Sequence, residues 1–243
     1  MNAVTDHYER LLASIYQWMV GGSEFALGLG AADLAALGIG PSAGVPAIDL
    51  GAGFGMHAIS LARLGYAVTA IDSSALLSSQ LRQLADGLDI RVFEADLREF
   101  PACIKAAPRL ILCMGDTLTH LSSAVDVDRL CGRVATALAP GGRFIATFRV
   151  YTNSLHGNAR FIPVRSDTDR IHTCFLEEEP DRMLVHDILH ERRNGTWSMR
   201  VSSYPKLRLS PDEVVRTLEQ HGLEARCEPG PRGMVQVIAL RPC

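Results

Sequence analysis

The stretch AIDLGAGFG, residues 47–55, decides how the rest of the chain is interpreted, because it joins a short apolar run to a glycine-rich turn. Residues 56–65, which follow it, have the apolar spacing of a helix. Glycines allow a tight turn and let a ligand lie directly against the backbone. The stretch therefore predicts a ligand-binding loop between a β-strand and an α-helix.

Strand-like and helix-like segments alternate five times around this loop. Such alternation is typical of parallel strands joined by right-handed crossovers. A helix that begins at Pro211 and two final strands, near residues 223–228 and 234–240, complete the pattern. We therefore predict a doubly wound α/β fold with a mainly parallel, seven-stranded sheet. The first five strands are predicted at residues 47–50, 67–71, 90–94, 109–113 and 143–148, and the helices between them at residues 56–65, 75–86, 97–106 and 124–138.

The regular alternation stops after the fifth strand. Strand-like runs follow, and Asn194-Gly195, a strong hairpin signal, separates two of them. We predict an antiparallel insertion over residues 160–209 that lies above the active site, and a helical lid within residues 1–40, all in a single domain of residues 1–243. Asp6 and Glu9 resemble a capping box for the first helix. The strand-like runs are residues 170–178, 182–192 and 196–208, and the N-terminal helices are residues 6–20 and 23–38.

The composition narrows the class of protein. The 243 residues are 47% hydrophobic and carry a net charge of −3, so no basic excess indicates a nucleic-acid partner. The six cysteines form no CxxC pair, which is typical of reduced thiols in a cytoplasmic protein. The sequence has neither a signal-peptide pattern at its start nor an apolar run of about 18 residues, so we expect no membrane association. A monomer and a homodimer both stay open.

Two further acidic residues follow predicted strands and indicate an adenosine-type cofactor. Asp72 lies 21 residues beyond Gly51, at the end of the second strand, where a carboxylate can bind both ribose hydroxyls. Asp96, after the third strand, is placed to meet the adenine amino group. A structural alternative is that the glycines only allow close packing and that the acidic residues only cap helices.

Two details favour S-adenosylmethionine (SAM) over a nicotinamide dinucleotide. The dinucleotide motif requires glycine or alanine at its sixth position, where this chain has Met56. Asp49, just before the loop, would repel a pyrophosphate but not a sulfonium with an amino-acid tail.

These residues resemble the class I SAM-dependent methyltransferases, which have a Rossmann-like fold. The motifs that carry the resemblance are AIDLGAGFG, AVTAIDSS, VFEADLREF, LILCMGDTLTHL and LAPGGRFIATF. The resemblance implies SAM as cofactor, S-adenosylhomocysteine as product, and a set of cofactor-binding residues. Those residues are Asp49, Gly51, Gly53 and Gly55 for the methionine moiety, Asp72 and Ser73 for the ribose, and Asp96 and Leu97 for the adenine, with Met114 also assigned to the cofactor.

A narrower likeness is to the glycine N-methyltransferase branch, whose motif after strand four reads approximately C-x-G-N-S-x-x-H-L. Residues 113–121, CMGDTLTHL, are similar to it, with Asp116 in place of the asparagine. Arg149, Tyr151 and Tyr204-Pro205 are similar to residues of the same branch.

The acceptor side is predicted above the carboxyl edge of the sheet, where α/β proteins bind ligands. Asp116, His120 and Arg149 are the candidate catalytic residues. Asp116 would hold an amine or a hydroxyl, or only cap a helix. His120 would act as a base or contact the acceptor, or only shape its loop. Arg149 would clamp a carboxylate, or only form a surface ion pair.

Aromatic residues are the remaining acceptor candidates. Tyr16, Trp18, Tyr151 and Tyr204 are assigned to the substrate, and Trp18 is the better lid candidate because it falls off the apolar stripe of its helix. No metal site is expected, because His186 and His190 lack a third ligand and fit a polar outer sheet face.

The sequence therefore predicts a SAM-dependent methyltransferase that acts on a nitrogen or oxygen of a small molecule. The alternatives are a nicotinamide-dependent oxidoreductase and a non-catalytic SAM-binding protein. Methylation of a protein also stays open.

Overall fold

The computed structural model describes residues 3–151 and 155–243. Its main sheet has seven strands in the order β10-β11-β5-β4-β1-β2-β3. The neighbours from β5 to β3 pair in parallel, whereas β11 runs antiparallel to both β5 and β10. The predicted doubly wound, mainly parallel sheet is confirmed. Its strands are β1 (Pro46–Leu50), β2 (Ala67–Asp72), β3 (Ile90–Glu94), β4 (Leu110–Cys113), β5 (Arg143–Phe148), β10 (Glu224–Pro229) and β11 (Val235–Leu240).

Helices cover both faces of this sheet, and each face has its own apolar core. On one face Leu130 of α6 and Leu218 of α7 pack with fully buried strand residues such as Phe144. On the other face Leu34 of α3 and Ile59 of α4 are fully buried in a second cluster. The helices are α3 (Ser23–Ala36), α4 (Met56–Arg63), α5 (Ala75–Leu84), α6 (Ala124–Ala137) and α7 (Pro211–Gln220), with short 3₁₀ turns at Leu97–Ala102, Thr117–His120, Gly157–Arg160 and Pro231–Gly233.

The insertion forms a separate antiparallel sheet of four strands in the order β6-β7-β8-β9. The sequence predicted three of these strands and missed β6. Every residue of β6 is exposed, so it has no alternation of buried and exposed positions, and Pro163 lies beside a shift in its pairing register. Proline is tolerated at such a position because an edge strand has unpaired backbone groups. The strands are β6 (Phe161–Ser166), β7 (Arg170–Glu178), β8 (Arg182–Arg193) and β9 (Thr196–Leu207).

The N-terminal helix differs from its prediction. The chain is helical from Ala3, with a π-helical turn at Tyr8–Leu12 between α1 (Ala3–His7) and α2 (Ala13–Met19). The predicted capping box is wrong, because Asp6 lies inside the helix and pairs with Arg10 at 3.1 Å. Glu9 instead accepts a hydrogen bond from the Ser74 hydroxyl at 2.6 Å. In the described ranges, none of the helices combines the length and apolar composition needed to span a bilayer.

A buried network docks α1 on the inner face of the inserted sheet. The Asp187 carboxylate lies 2.8 Å from His7 Nε2 and 2.7 Å from His172 Nε2, and it accepts from the Cys174 thiol at 2.9 Å. His7 Nδ1 lies 2.8 Å from the Ser202 hydroxyl. Burial alone would raise the pKa of Asp187, but the hydrogen bonds from His172 and His7 hold it well below its ordinary value. The ionised carboxylate of Asp187 therefore links α1 to strands β7 and β8 of the insertion.

We expect Asp187→Asn to lower the free energy of unfolding by about 2–3 kcal/mol, because one oxygen becomes an amide donor that faces an imidazole donor. Urea denaturation followed by circular dichroism measures the change. Asp181→Asn is the matched control, because its side chain is 69% exposed and solvent screens its pairing with Arg182. Equal losses in the two variants would contradict the structural importance of the Asp187 network.

Candidate active site

A cavity opens at the carboxyl edge of the seven-stranded sheet, where the predicted cofactor residues meet. Asp49 and Gly55 were also assigned to the cofactor, but they do not line this cavity. The predicted residues that do line it are Gly51, Gly53, Asp72, Ser73, Asp96, Leu97 and Met114.

Two glycines of the loop have different roles. Both Gly51 and Gly53 have positive φ angles, +72° and +57°, which side chains other than glycine rarely adopt. A Cβ on Gly51 would lie 2.4 Å from Thr117 Cγ2, so this glycine lets the loop pack against the segment after β4. A Cβ on Gly53 would meet nothing within 4 Å. Gly53 therefore leaves a stretch of backbone open to the cavity.

Asp72 fixes the glycine loop to the end of β2. Its carboxylate accepts hydrogen bonds from the backbone N–H groups of Gly53 and Ser74, both at 2.8 Å. Burial raises the pKa of Asp72, and the two hydrogen bonds oppose that shift. A carboxylate in this position remains available to ribose hydroxyls on its cavity side.

Asp49 and Gly55 flank the glycine loop and do not line the cavity. Asp49 is 1% exposed, and burial raises its pKa to about 6. Among the described residues, no hydrogen-bond partner reaches its Oδ2 atom. A buried carboxylate oxygen without a partner favours a cationic group nearby, as the predicted sulfonium and amino-acid tail would provide. Gly55 precedes α4, and a Cβ there would lie 2.2 Å from Leu81 Cδ1, so its role is packing.

At the far end of the cavity a charged cluster that the sequence analysis missed holds Asp96. The guanidinium of Arg98 lies 2.6 Å from the Asp96 carboxylate and 2.9 Å from that of Asp126. The hydrogen bonds from Arg98 lower the pKa of Asp96. Asp96 therefore stays ionised and oriented, as an acceptor for an exocyclic amino group requires. Arg98 is two residues from Asp96, but Asp126 lies on α6, and its approach depends on the fold.

The N-terminal helices form one wall of the cavity, as the predicted lid requires. Val4, Thr5, Tyr8, Tyr16 and Val20 line it. The Thr5 hydroxyl lies 3.2 Å from the Ser73 hydroxyl, beside the contact between Glu9 and Ser74.

Trp18, the preferred lid candidate, does not line the cavity. Its indole N–H donates to Asp167 at 2.6 Å, and Arg165 and Arg170 lie over its ring. Trp18 therefore docks α2 on the rim of the insertion. Tyr8 of the π-helical turn and Tyr16 of α2 line the cavity instead.

Asp116, a predicted catalytic residue, is buried and does not line the cavity. It is 1% exposed, has a φ of +79°, and accepts from the Arg149 backbone N–H at 2.9 Å and the Tyr151 hydroxyl at 3.3 Å. The Lys206 ammonium contacts the same carboxylate. Burial would raise the pKa of Asp116, but Lys206 holds it below its ordinary value. The Arg149 guanidinium lies 3.6 Å from Asp116, so Arg149 and Tyr151 both support this buried ion pair.

Lys206 is a buried charged residue of the insertion that the sequence analysis missed. Its own burial would lower its pKa, but Asp116 raises it above the ordinary value, so the ammonium stays charged. A usable signal was present, because Lys206 falls on the inward positions of β9 with Tyr204. A charge at an inward position needs a buried partner.

His120 stands at the boundary between two cavities. The second cavity is smaller and is lined by residues of α1, of the segment after β4 and of the insertion, including Lys206 and Arg182. It shares Val4, His120, Leu121 and Ser122 with the first cavity.

The surroundings of His120 keep its ring neutral. Burial lowers the pKa of His120 to about 3, and the Lys206 charge acts in the same direction. Its Nε2 atom is buried and makes no hydrogen bond to any residue that the structure describes. The Tyr204 ring stands edge-on to the imidazole at 5.5 Å and lies behind it, outside both cavities.

Part of the chain is similar in sequence to known proteins. Residues 47–142 match the family described as "Methyltransferase domain". A stretch of 105 residues, 42% of this chain, is 36% identical to the ubiquinone biosynthesis O-methyltransferase of Albidiferax ferrireducens. The chain spans 40% of the length of that curated relative.

Solved structures share the fold over nearly the whole chain. The CcbJ methyltransferase of Streptomyces caelestis has a TM-score of 0.79 at 18% identity and covers 98% of both chains. SAM-bound CalS10, an amino pentose methyltransferase from Micromonospora echinaspora, has a TM-score of 0.75 at 15% identity over 95% of this chain and 96% of its own. The predicted Rossmann-like fold is therefore confirmed, and residues 47–142 are similar to a methyltransferase family.

We expect Asp72→Ala to weaken the binding of SAM by about tenfold or more, because hydrogen bonds to a charged group contribute about 1.5–3 kcal/mol. Isothermal titration calorimetry measures the affinity, and a thermal melt checks the fold. Asp86→Ala, an exposed aspartate outside the cavity, is the matched control. An unchanged affinity in Asp72→Ala would sink the assignment of Asp72 to the cofactor.

His120 gives a prediction about stability. The pKa of His120 in the folded protein lies below its unfolded value of about 6.5, so between these pKa values the unfolded chain binds a proton and the native protein does not. This contribution to stability is complete above pH 6.5 and is lost as the pH falls towards 3. We therefore expect the melting temperature of His120→Gln to fall less between pH 7.5 and pH 5 than that of the natural chain. Differential scanning calorimetry at the two pH values measures both changes. Parallel pH curves would show that His120 is not buried as described.

Proposed function

We propose that this protein, whose residues 47–142 match a methyltransferase family, transfers the methyl group of SAM to a nitrogen or oxygen of a small-molecule acceptor. SAM is the cofactor and S-adenosylhomocysteine the product. SAM supplies a methyl group that is already activated on a sulfonium sulfur, so the protein contributes mainly positioning and exclusion of water.

One observation carries the proposal: the cofactor cavity and a smaller cavity share His120 and its neighbours as a common wall. The smaller cavity lies between the lid, the segment after β4 and the inserted sheet. This position suits a compact acceptor that approaches the cofactor from the side of the insertion. The net charge of −3 agrees with an acceptor that is not a nucleic acid.

His120 is suited to accept a hydrogen bond from the acceptor and so to orient it. Its ring is neutral at physiological pH because burial lowers its pKa to about 3, and its buried Nε2 has no other partner among the described residues. A hydroxyl or a neutral amine that donates a hydrogen bond to this nitrogen is held in one orientation, and positioning of this kind supplies much of the catalysis of methyl transfer. Tyr8 lies 5.9 Å from the His120 ring and lines the cofactor cavity, where it excludes water.

Lys206 narrows the acceptor further. It lines the smaller cavity with a charged ammonium, while its partner Asp116 is buried behind it. A cation in the wall disfavours a protonated amine, so we expect an amine acceptor to bind in its neutral form. The narrower likeness to glycine N-methyltransferases stays a prediction, since Asp116, which replaces the asparagine of that motif, does not line either cavity.

The relatives leave nitrogen and oxygen acceptors open, because CalS10 is described as an amino pentose methyltransferase and the curated relative as an O-methyltransferase. The single domain of residues 1–243 and a cytoplasmic location belong to the same proposal. The free cysteines, two of them buried, suit a reducing compartment.

The experiment incubates the purified chain with SAM and a panel of small amines, phenols and carboxylic acids, and measures S-adenosylhomocysteine by mass spectrometry. We expect product only when a suitable acceptor is present, and a rate at least tenfold lower in His120→Gln. Val125→Gln, an exposed substitution on α6, is the control and should keep the full rate.

Two outcomes would contradict the proposal. Thermal stabilisation by NAD(H) and not by SAM would favour the nicotinamide-dependent oxidoreductase. Tight SAM binding without methyl transfer to any acceptor of the panel would favour a non-catalytic SAM-binding protein.

A further inference from the structure

The inserted sheet has one face that no described helix or strand covers. Its inner face packs against α1 and α2, with Met183, Val185 and Leu189 of β8 buried there. The pairing register defines the opposite side, which we call the outer face, because Val201 lies beside Ile188 and Ile188 beside Thr173. The apolar residues that this register places on the outer face are Trp197, Met199 and Val201 of β9, Ile188 of β8, Ile171 and Phe175 of β7, and Phe161 of β6.

The outer face is unusually apolar for a surface in contact with water. Met199 is 61% exposed, Val201 53%, Phe161 50%, Trp197 45% and Ile171 43%. Together these side chains leave on the order of 500 Å² of apolar surface open, at the upper end of what soluble monomers show. The other exposed large apolar side chains of the described residues are Ile162 and Val164 of β6, and Phe25, Leu76 and Val125, which lie singly on three separate helices.

This composition differs from the usual pattern of a half-buried antiparallel sheet, in which the solvent face is polar. His186 and His190 lie on this outer face, as expected from the sequence, but most of their neighbours there are apolar. An open apolar sheet face of this kind marks an interaction surface.

We propose that a second copy of this chain covers the outer face and forms a two-fold symmetric dimer, with the axis running across the strands. A standard protein interface buries about 800 Å² per partner, so the apolar patch and its polar rim have the size that a stable dimer needs. Two sheets can pack face to face in this way with interdigitated side chains.

The charges at the rim favour a second copy over a different protein. Arg192 lies at one end of the outer face beside Trp197, and Glu177 lies at the other end beside Leu184. Both side chains stay partly exposed, 41% and 52%, beside their partners Asp169 and His186. A two-fold axis across the strands brings Arg192 of each copy over Glu177 of the other. The face is therefore complementary to itself, as an isologous interface requires.

The test measures the mass of the full chain by light scattering after size exclusion, between about 1 and 100 µM, a range in which standard interfaces associate. We expect twice the mass of one chain. Met199→Glu should weaken dimerisation by about a hundredfold or more, because it buries a carboxylate in an apolar interface. Val125→Glu, an equally exposed apolar position on α6, is the matched control and should remain dimeric.

Charge reversal tests the axis. Arg192→Glu and Glu177→Lys should each weaken the dimer, and the double variant should recover it. Thermal melts establish that every variant is folded, and Met199→Gln replaces Met199→Glu if the latter is not. A monomeric natural chain at 100 µM, which would leave the face to another partner, or a folded Met199 variant that still dimerises, would overturn the proposal. If the double variant does not recover dimerisation, the proposed orientation of the two-fold axis is wrong.

Discussion

Parallel pairing of β4, β1, β2 and β3 is the constraint on which the rest of the structure depends. Because parallel strands end at the same edge of a sheet, the glycine loop, Asp72, Asp96 and Met114 meet there, although they are spread over the first half of the chain. Hydrogen bonds then secure what the topology brings together. The Asp72 carboxylate holds the N–H of Gly53, and Arg98 holds Asp96, so both acidic side chains are oriented by the protein itself.

Buried charged side chains connect the N-terminal helix and the antiparallel insertion to each other and to the seven-stranded sheet. Asp187 joins the lid helix to the insertion through His7, and Lys206 of the insertion reaches Asp116 in the segment after β4. Breaking either pair by removing one partner leaves a buried polar group uncompensated, which costs more than the pair contributes in net stability. These contacts therefore specify where the lid and the insertion dock. The smaller cavity beside His120 is lined by residues of the N-terminal helix and of the insertion, so it forms only when both are docked.

The sequence predicts most strongly those features that follow from local pattern and strand topology. Asp72 and Asp96 were identified because each follows a strand, and β6 was missed because all its residues are exposed and Pro163 interrupts its pairing. Trp18 was assigned to the cavity because it lies outside the apolar stripe of its helix. The stripe does not show whether a residue outside it faces the cavity or the insertion, and Trp18 faces the insertion. Lys206 and Asp116 are 90 residues apart, and their pairing depends on how the insertion folds back over the sheet.

The period of two along β9 links the acceptor side to the outer face. Tyr204 and Lys206 point inward, whereas Met199 and Val201 occupy the alternate positions and point outward. A register slip of one residue would exchange the two sets, so the strand that presents Lys206 also determines which side chains meet solvent. In the proposed dimer, packing on the outer face would restrain the same strand that places Lys206 against Asp116. Self-association and acceptor binding then share one structural element.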